Sequence, residues 1–168
     1  MSDTSLKEKT AKGLFWGGFS NGIQQLLNLG FGIVLARLLD ASDYGMDQET
    51  AYRTMACFAA GMYRGSVCGC VTAALAVLGL AYGFSDTKDR EREIFGTKIA
   101  EEFVDRFQER MEGKFNCADI LENNINTAEG MASIRREGMI KKKCTQAIQT
   151  SIEILEDMLR AYPDMLAG

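Results

Sequence analysis

The chain contains no histidine. That excludes Ser-His-Asp and Cys-His nucleophile pairs, and every metal site built on imidazole. Any chemistry must come from thiols, carboxylates, tyrosine, lysine or a bound cofactor. There is a single proline, Pro163, and no long stretch of strand-like alternation. Both absences favour an all-α fold. A surplus of positive charge is also lacking. The net charge of −4 argues against a general nucleic-acid binder. No secretory signal with a small-residue cleavage site is apparent. The five cysteines are odd in number, so they cannot all pair within one chain. The simplest compartment for them is a reducing cytoplasm, with membrane association as the alternative.

What the chain does have is a change of character near Tyr44-Gly45-Met46-Asp47. We read residues 1–46 as an apolar helical segment and 47–168 as a helical domain carrying every cysteine. Between Lys12 and Arg37 lie 24 residues without charge. As a helix they would extend roughly 36 Å, enough for a bilayer core. Lys7, Lys9 and Lys12 precede this run and would hold that end on the cytoplasmic side. Trp16 suits an interfacial anchor. Asn21, Gln24, Gln25 and Asn28 lie mid-span and would need partners from neighbouring helices. Residues 13–39 therefore either associate with a membrane or pack on the downstream domain. A single span would carry the cysteines to an oxidising side, which favours packing.

Ser5-Leu6-Lys7-Glu8-Lys9-Thr10, Gly13-Leu14-Phe15-Trp16, Leu35-Ala36-Arg37-Leu38-Leu39 and Asp43-Tyr44-Gly45 resemble the amino terminus of a bacterial polysaccharide flippase of the exporter superfamily. The resemblance covers only a first helix. Alternating access needs a cavity between helix bundles, which one helix cannot form. A membrane-anchored fragment of an export protein, or a fusion without activity, is the alternative reading of the whole chain.

Downstream, the pattern predicts a helix from Asp47 to Ala60 and a glycine-containing turn over Gly61–Ser66. A small-residue apolar helix follows from Val67 to Tyr82. Ser85 or Asp86 caps a helix running to Glu112. That helix aligns Phe95, Ile99, Phe103, Phe107 and Met111 at spacing four, with Val104 alongside. Gly113 ends it. Short helices follow from Asn116 or Cys117 to Glu122 and from Thr127 to Glu137. A final helix over 144–161 turns Ile148, Ile152, Leu155 and Leu159 inward, and Pro163 closes it. The expected architecture is a compact all-α bundle with a long apolar N-terminal helix.

The basic cluster Arg135, Arg136 and Lys141-Lys142-Lys143 reads as a solvated helix end. Glu101, Glu102 and Asp105 read as the solvated side of their helix rather than a catalytic carboxylate group.

The candidate chemistry lies in the thiols. Cys68 and Cys70 open an apolar helix, Cys117 opens a short one, and Cys144 begins the last. Unpaired N–H groups at helix starts favour thiolates. Cys57 falls on a helix's apolar face. Position leaves thiol chemistry or metal ligation evenly matched against inert buried cysteines.

The run Gly61-Met62-Tyr63-Arg64-Gly65-Ser66-Val67-Cys68-Gly69-Cys70, continuing through Val71-Thr72-Ala73-Ala74 to Leu80, is similar to the signature of the C_GCAxxG_C_C redox-active proteins. Asp47-Gln48-Glu49-Thr50-Ala51, Phe103, Phe107 and the Glu153-Ile154-Leu155-Glu156 helix also fit. The resemblance covers roughly Tyr44 to Leu159. It implies that Cys68, Cys117 and Cys144 stand at three of four family cysteine positions and carry the chemistry. It implies an iron–sulfur cluster, a zinc site or two dithiol pairs. Cys68, Cys70, Cys117 and Cys144 are the candidate cofactor and metal ligands. A redox partner and self-association are the expected interactions. Two residues depart from the motif, Cys70 in place of Ala and Ala73 in place of Gly. The family's first cysteine belongs near Gly32, where this chain has none. Cys70 lies two residues from Cys68 and is expected to approach a shared centre from another direction.

Overall fold

The structure is a computed structural model that describes residues 48–163. The 13–39 segment, the flippase resemblance and the position near Gly32 lie outside the described residues. Among those described, no helix is long and apolar enough to cross a membrane.

The described residues are helical and contain no strand, only an isolated antiparallel bridge between Val67 and Asn116. Helix α1 covers Gln48–Met55 and runs into a 3-10 turn at Ala56–Phe58. It therefore stops five residues before the expected Ala60. The chain then enters a left-handed turn. Ala60, Gly61, Met62 and Tyr63 have φ of 51, 62, 55 and 56°.

Helix α2 covers Gly69–Tyr82, α3 Arg90–Arg110 and α6 Thr145–Ala161. These three pack on one another pairwise. Helix α2 lies at the centre, which suits its small residues and its lack of a polar face. Val71, Ala74, Val77, Leu78 and Ala81 are all buried. The spacing-four stripe of α3 holds: Ile99, Phe103, Phe107 and Met111 are buried, and Phe95 packs at the edge. Phe95, Tyr82 and Tyr162 close the far end with edge-to-face rings 5.7–6.4 Å apart.

The cap of α3 is Asp89, whose carboxylate accepts the Arg92 N–H at 3.0 Å. Asp86 is engaged one turn earlier, accepting from the Lys88 N–H. That local turn displaces the helix start from the predicted Ser85 or Asp86.

A second, smaller core joins the remaining pieces. Helix α4 covers Cys117–Leu121 and α5 covers Ala128–Arg136. Ala60, Cys117, Leu121, Ile125, Met131, Ile134 and Met139 pack together there. Thr127 caps α5, its Oγ1 accepting from the Gly130 N–H.

The last helix departs from expectation in two ways. After Gly138 the backbone turns helical at Met139 and passes through a wide turn at Ile140–Cys144 directly into α6. Cys144 thus sits inside a continuous helical path, not at a free end. The buried face is also centred beside the expected one. Ala147, Ile154, Leu155 and Met158 are the most buried, whereas Ile148, Ile152 and Leu159 lie partly exposed at its margins.

Ser151 is buried on that face, and its Oγ has no hydrogen-bond partner among the described residues. A buried hydroxyl without a partner costs stability. Ser151→Ala is therefore expected to stabilise the protein by about 1 kcal/mol, seen as a higher urea midpoint with an unchanged slope. A lower midpoint would show that the hydroxyl has a partner.

Candidate thiol site

The site is built where two chain segments meet. The Cys68 N–H donates to the Phe115 carbonyl at 3.0 Å, and the Cys117 N–H donates to the Ser66 carbonyl at 2.7 Å. These bonds flank the Val67–Asn116 bridge. Side chains alternate across an extended ladder, so Cys68 and Cys117 share the side opposite Val67 and Asn116. The left-handed turn delivers the first segment. Its closing bond runs from the Ser66 N–H to the Gly61 carbonyl at 3.1 Å. The Asn126 side chain donates to the Arg64 carbonyl and ties the turn to the loop beyond α4.

Cys68 is the N-cap of α2, with extended backbone at φ −58° and ψ 135°. No ordinary side-chain capping hydrogen bond forms there. Even so, the Cys70 side chain and the N–H groups of Cys70 and Val71 direct positive ends at the Cys68 sulfur. The Cys70 contact is the largest influence. Together they hold the Cys68 thiol below its ordinary value against the opposing effect of burial. Cys70 keeps the proton. Its contact with Cys68, its burial and repulsion from the surrounding sulfurs push its thiol well up. The pair therefore gives up its first proton from Cys68 and holds the second at Cys70.

Cys117 and Cys144 fall within the electrostatic field of Cys68. Burial raises Cys117 well above the ordinary range. Burial pushes Cys144 up to about 12. The expectation that helix starts favour thiolates thus holds at Cys68 alone. Cys117 opens a helix of only five residues, too short to supply much dipole, and Cys144 has helical residues before it.

All four candidate residues are brought into one neighbourhood, including Cys70. Its sulfur meets that of Cys68 instead of approaching from another direction. Gly69 is helical and places the two side chains at the same end of α2. Cys57 is exposed and takes no part, because α1 breaks before reaching it. Among the described residues, no group of three or more Cys, Asp or Glu is arranged to hold a metal ion. The sulfurs share an electrostatic field.

Two residues at the site, Glu122 and Lys114, were not singled out from sequence. Glu122 accepts an ion pair from Lys114 at 2.7 Å and another from Lys143 at 3.5 Å. This clip fastens the end of α4 to the residue preceding Cys144. The Lys-Lys-Lys run gave only a charge signal, and nothing local links it to Glu122. Lys141 and Lys142 remain exposed, as a solvated helix end would be. Glu101 and Asp105 are likewise exposed. Glu102 pairs with Arg106 and accepts from the Tyr162 hydroxyl, far from the thiols in the fold.

The sequence pattern of the putative redox-active proteins, C_GCAxxG_C_C, matches residues 32–158, well over half of the chain. The chain belongs to this family. The match includes the helices of both cores and all five cysteines. It begins at residue 32, upstream of the change in composition at 44–47. The family's description points to a redox role. No curated protein and no solved structure matches the chain.

Proposed function

We propose that this protein performs two-electron thiol–disulfide redox chemistry, with Cys68 as the attacking thiolate and a neighbouring thiol as its partner. One observation supports this above the others. Cys68 occupies the N-cap of the central helix, in contact with a second thiol that keeps its proton. A thiolate is the nucleophile in sulfur exchange, and a nearby protonated thiol is poised to complete a disulfide. A dithiol also needs only two sulfurs. It tolerates the absence of a cysteine near Gly32, which would leave a four-thiolate site incomplete.

The test is a thiol count on anaerobically purified protein, before and after mild oxidation, paired with metal and labile-sulfide analysis. The expected result is a loss of two thiols per chain, restored by a dithiol reductant, and no stoichiometric zinc, iron or sulfide. Stoichiometric metal that protects the thiols would replace this reading with a ligand role for the same residues. An unchanged thiol count would overturn it.

A further inference from the structure

Cys70 is one of the two residues at which this chain departs from the motif, and its position has a chemical consequence. We propose that Cys70 is the resolving thiol for Cys68, so that a peroxide oxidises Cys68 and a Cys68–Cys70 disulfide then closes across Gly69. The proposal rests on the reading of Cys68 as the reactive thiolate.

Geometry selects this pair over the others. With Gly69 helical, the Cα atoms of Cys68 and Cys70 lie about 5.4 Å apart by helix geometry. That separation is within the range a disulfide spans. Their side chains are already in contact. Cys68 stands at the extended N-cap, outside the helix proper, where a change of side-chain rotamer does not break a helical hydrogen bond. Cys117 is held in a different segment by the Cys117 N–H bond to Ser66. Cys144 packs at the margin of the second core.

Burial selects the oxidant. Cys68 is 7 % exposed and Cys70 8 % exposed. A folded protein disulfide cannot be brought in line with a sulfur so enclosed, whereas a small peroxide can reach it. The Cys68 thiolate attacks one peroxide oxygen, the O–O bond breaks, and the distal oxygen leaves as hydroxide, giving Cys68 sulfenic acid. The Cys70 sulfur then attacks the Cys68 sulfur. The S–S bond forms, the S–O bond breaks, and the sulfenic oxygen departs as water with the Cys70 proton. Two electrons pass from the two sulfurs to the peroxide. A small dithiol reverses the change by exchange.

Trypsin cleavage after Arg64 and Lys88 isolates a peptide holding Cys68 and Cys70 and no other cysteine. The full chain is treated with about one equivalent of hydrogen peroxide, quenched in acid, alkylated and mapped by mass spectrometry. The expected product is that peptide carrying no alkyl group and lighter by two hydrogen atoms. Cys70→Ala, which installs the residue the family motif has there, is expected to raise trapping of Cys68 sulfenic acid by a cyclic diketone about tenfold. Should Cys70→Ala fail to fold, as judged by its helical circular dichroism, the wild-type map alone decides. A Cys68 disulfide to the Cys117 or Cys144 peptide would overturn this proposal and leave the redox reading intact. An unmodified Cys68 would overturn both.

Discussion

In the Cys57→Ser protein at pH 7, iodoacetamide is expected to modify Cys68 faster than Cys144, with about 50-fold coming from thiolate chemistry alone. The figure follows from two opposing effects. Cys144 is pushed up to about 12 by burial. At pH 7 only about one Cys144 in 10⁵ is then a thiolate. Cys68 lies below the ordinary 9.0, so more than about one in 100 is ionised. The difference in thiolate population is at least about 10³-fold. A less basic thiolate is also a weaker nucleophile, and a Brønsted slope near 0.45 over three units returns roughly 20-fold. Population therefore wins over intrinsic nucleophilicity. Cys68 is buried and Cys144 half-buried, so access works against this order and the difference in thiolate population must outweigh it. The rate at Cys68 should rise with pH and level off below the midpoint of an ordinary thiol, because deprotonation creates the reacting form. Cys68→Ser should abolish the fast phase, and Cys70→Ala should move its midpoint upward by removing the largest stabilising contact. Equal rates at Cys68 and Cys144 would show that the helix N-cap does not activate Cys68.

The background substitution is needed because Cys57 is exposed. That exposure illustrates where sequence reading fails here. A helix to Ala60 would have carried Cys57 onto an apolar face. The left-handed turn ends that helix early, and its only local signals are Gly61 and Gly65. Ala60, Met62 and Tyr63 adopt the same conformation without the residue type that advertises it. By contrast, the α3 stripe was legible because spacing four on a long helix admits one buried face. The helix starts near Asn116 and Thr127 and the stop at Gly113 were legible because each is a local backbone requirement. The face of α6 was legible in Leu155 and at its margins in Ile148, Ile152 and Leu159, which pack partly buried against the core. The order of Cys68, Cys117 and Cys144 along the chain was legible through the family pattern, which matches residues 32–158. The role of Cys70 was not. Its contact with Cys68 depends on Cys68 being extended while Gly69 is already helical, a junction that residue spacing does not encode.

The left-handed turn is also where this site is most vulnerable. Three non-glycine residues in that conformation cost roughly 1–2 kcal/mol each. Strain of this kind persists only where surrounding structure over-determines it. Here the closing Ser66–Gly61 bond, the Asn126 contact to Arg64 and the Val67–Asn116 bridge supply that constraint. Gly61 is the one member that cannot carry a side chain. At φ +62°, an added Cβ would lie 2.4 Å from the Ser66 carbonyl oxygen and 2.6 Å from its nitrogen. Both are backbone atoms, and the Ser66 carbonyl is the acceptor for Cys117. Relief of the clash must therefore displace the ladder that aligns Cys68 with Cys117. Gly61→Ala is expected to destabilise the fold by about 3–5 kcal/mol, at the upper end for a single substitution. Any folded fraction is expected to lose the fast alkylation of Cys68. Met62→Gly is the counter-test. Its side chain is 42 % exposed, so little packing is lost. Relief of left-handed strain should exceed the added chain entropy and stabilise the protein by up to about 1 kcal/mol. Denaturant unfolding of the two variants should thus move in opposite directions from one turn. A Gly61→Ala protein as stable as the wild type would mean that the turn does not hold the site. In that case the position of Cys68 must be fixed by α2 alone.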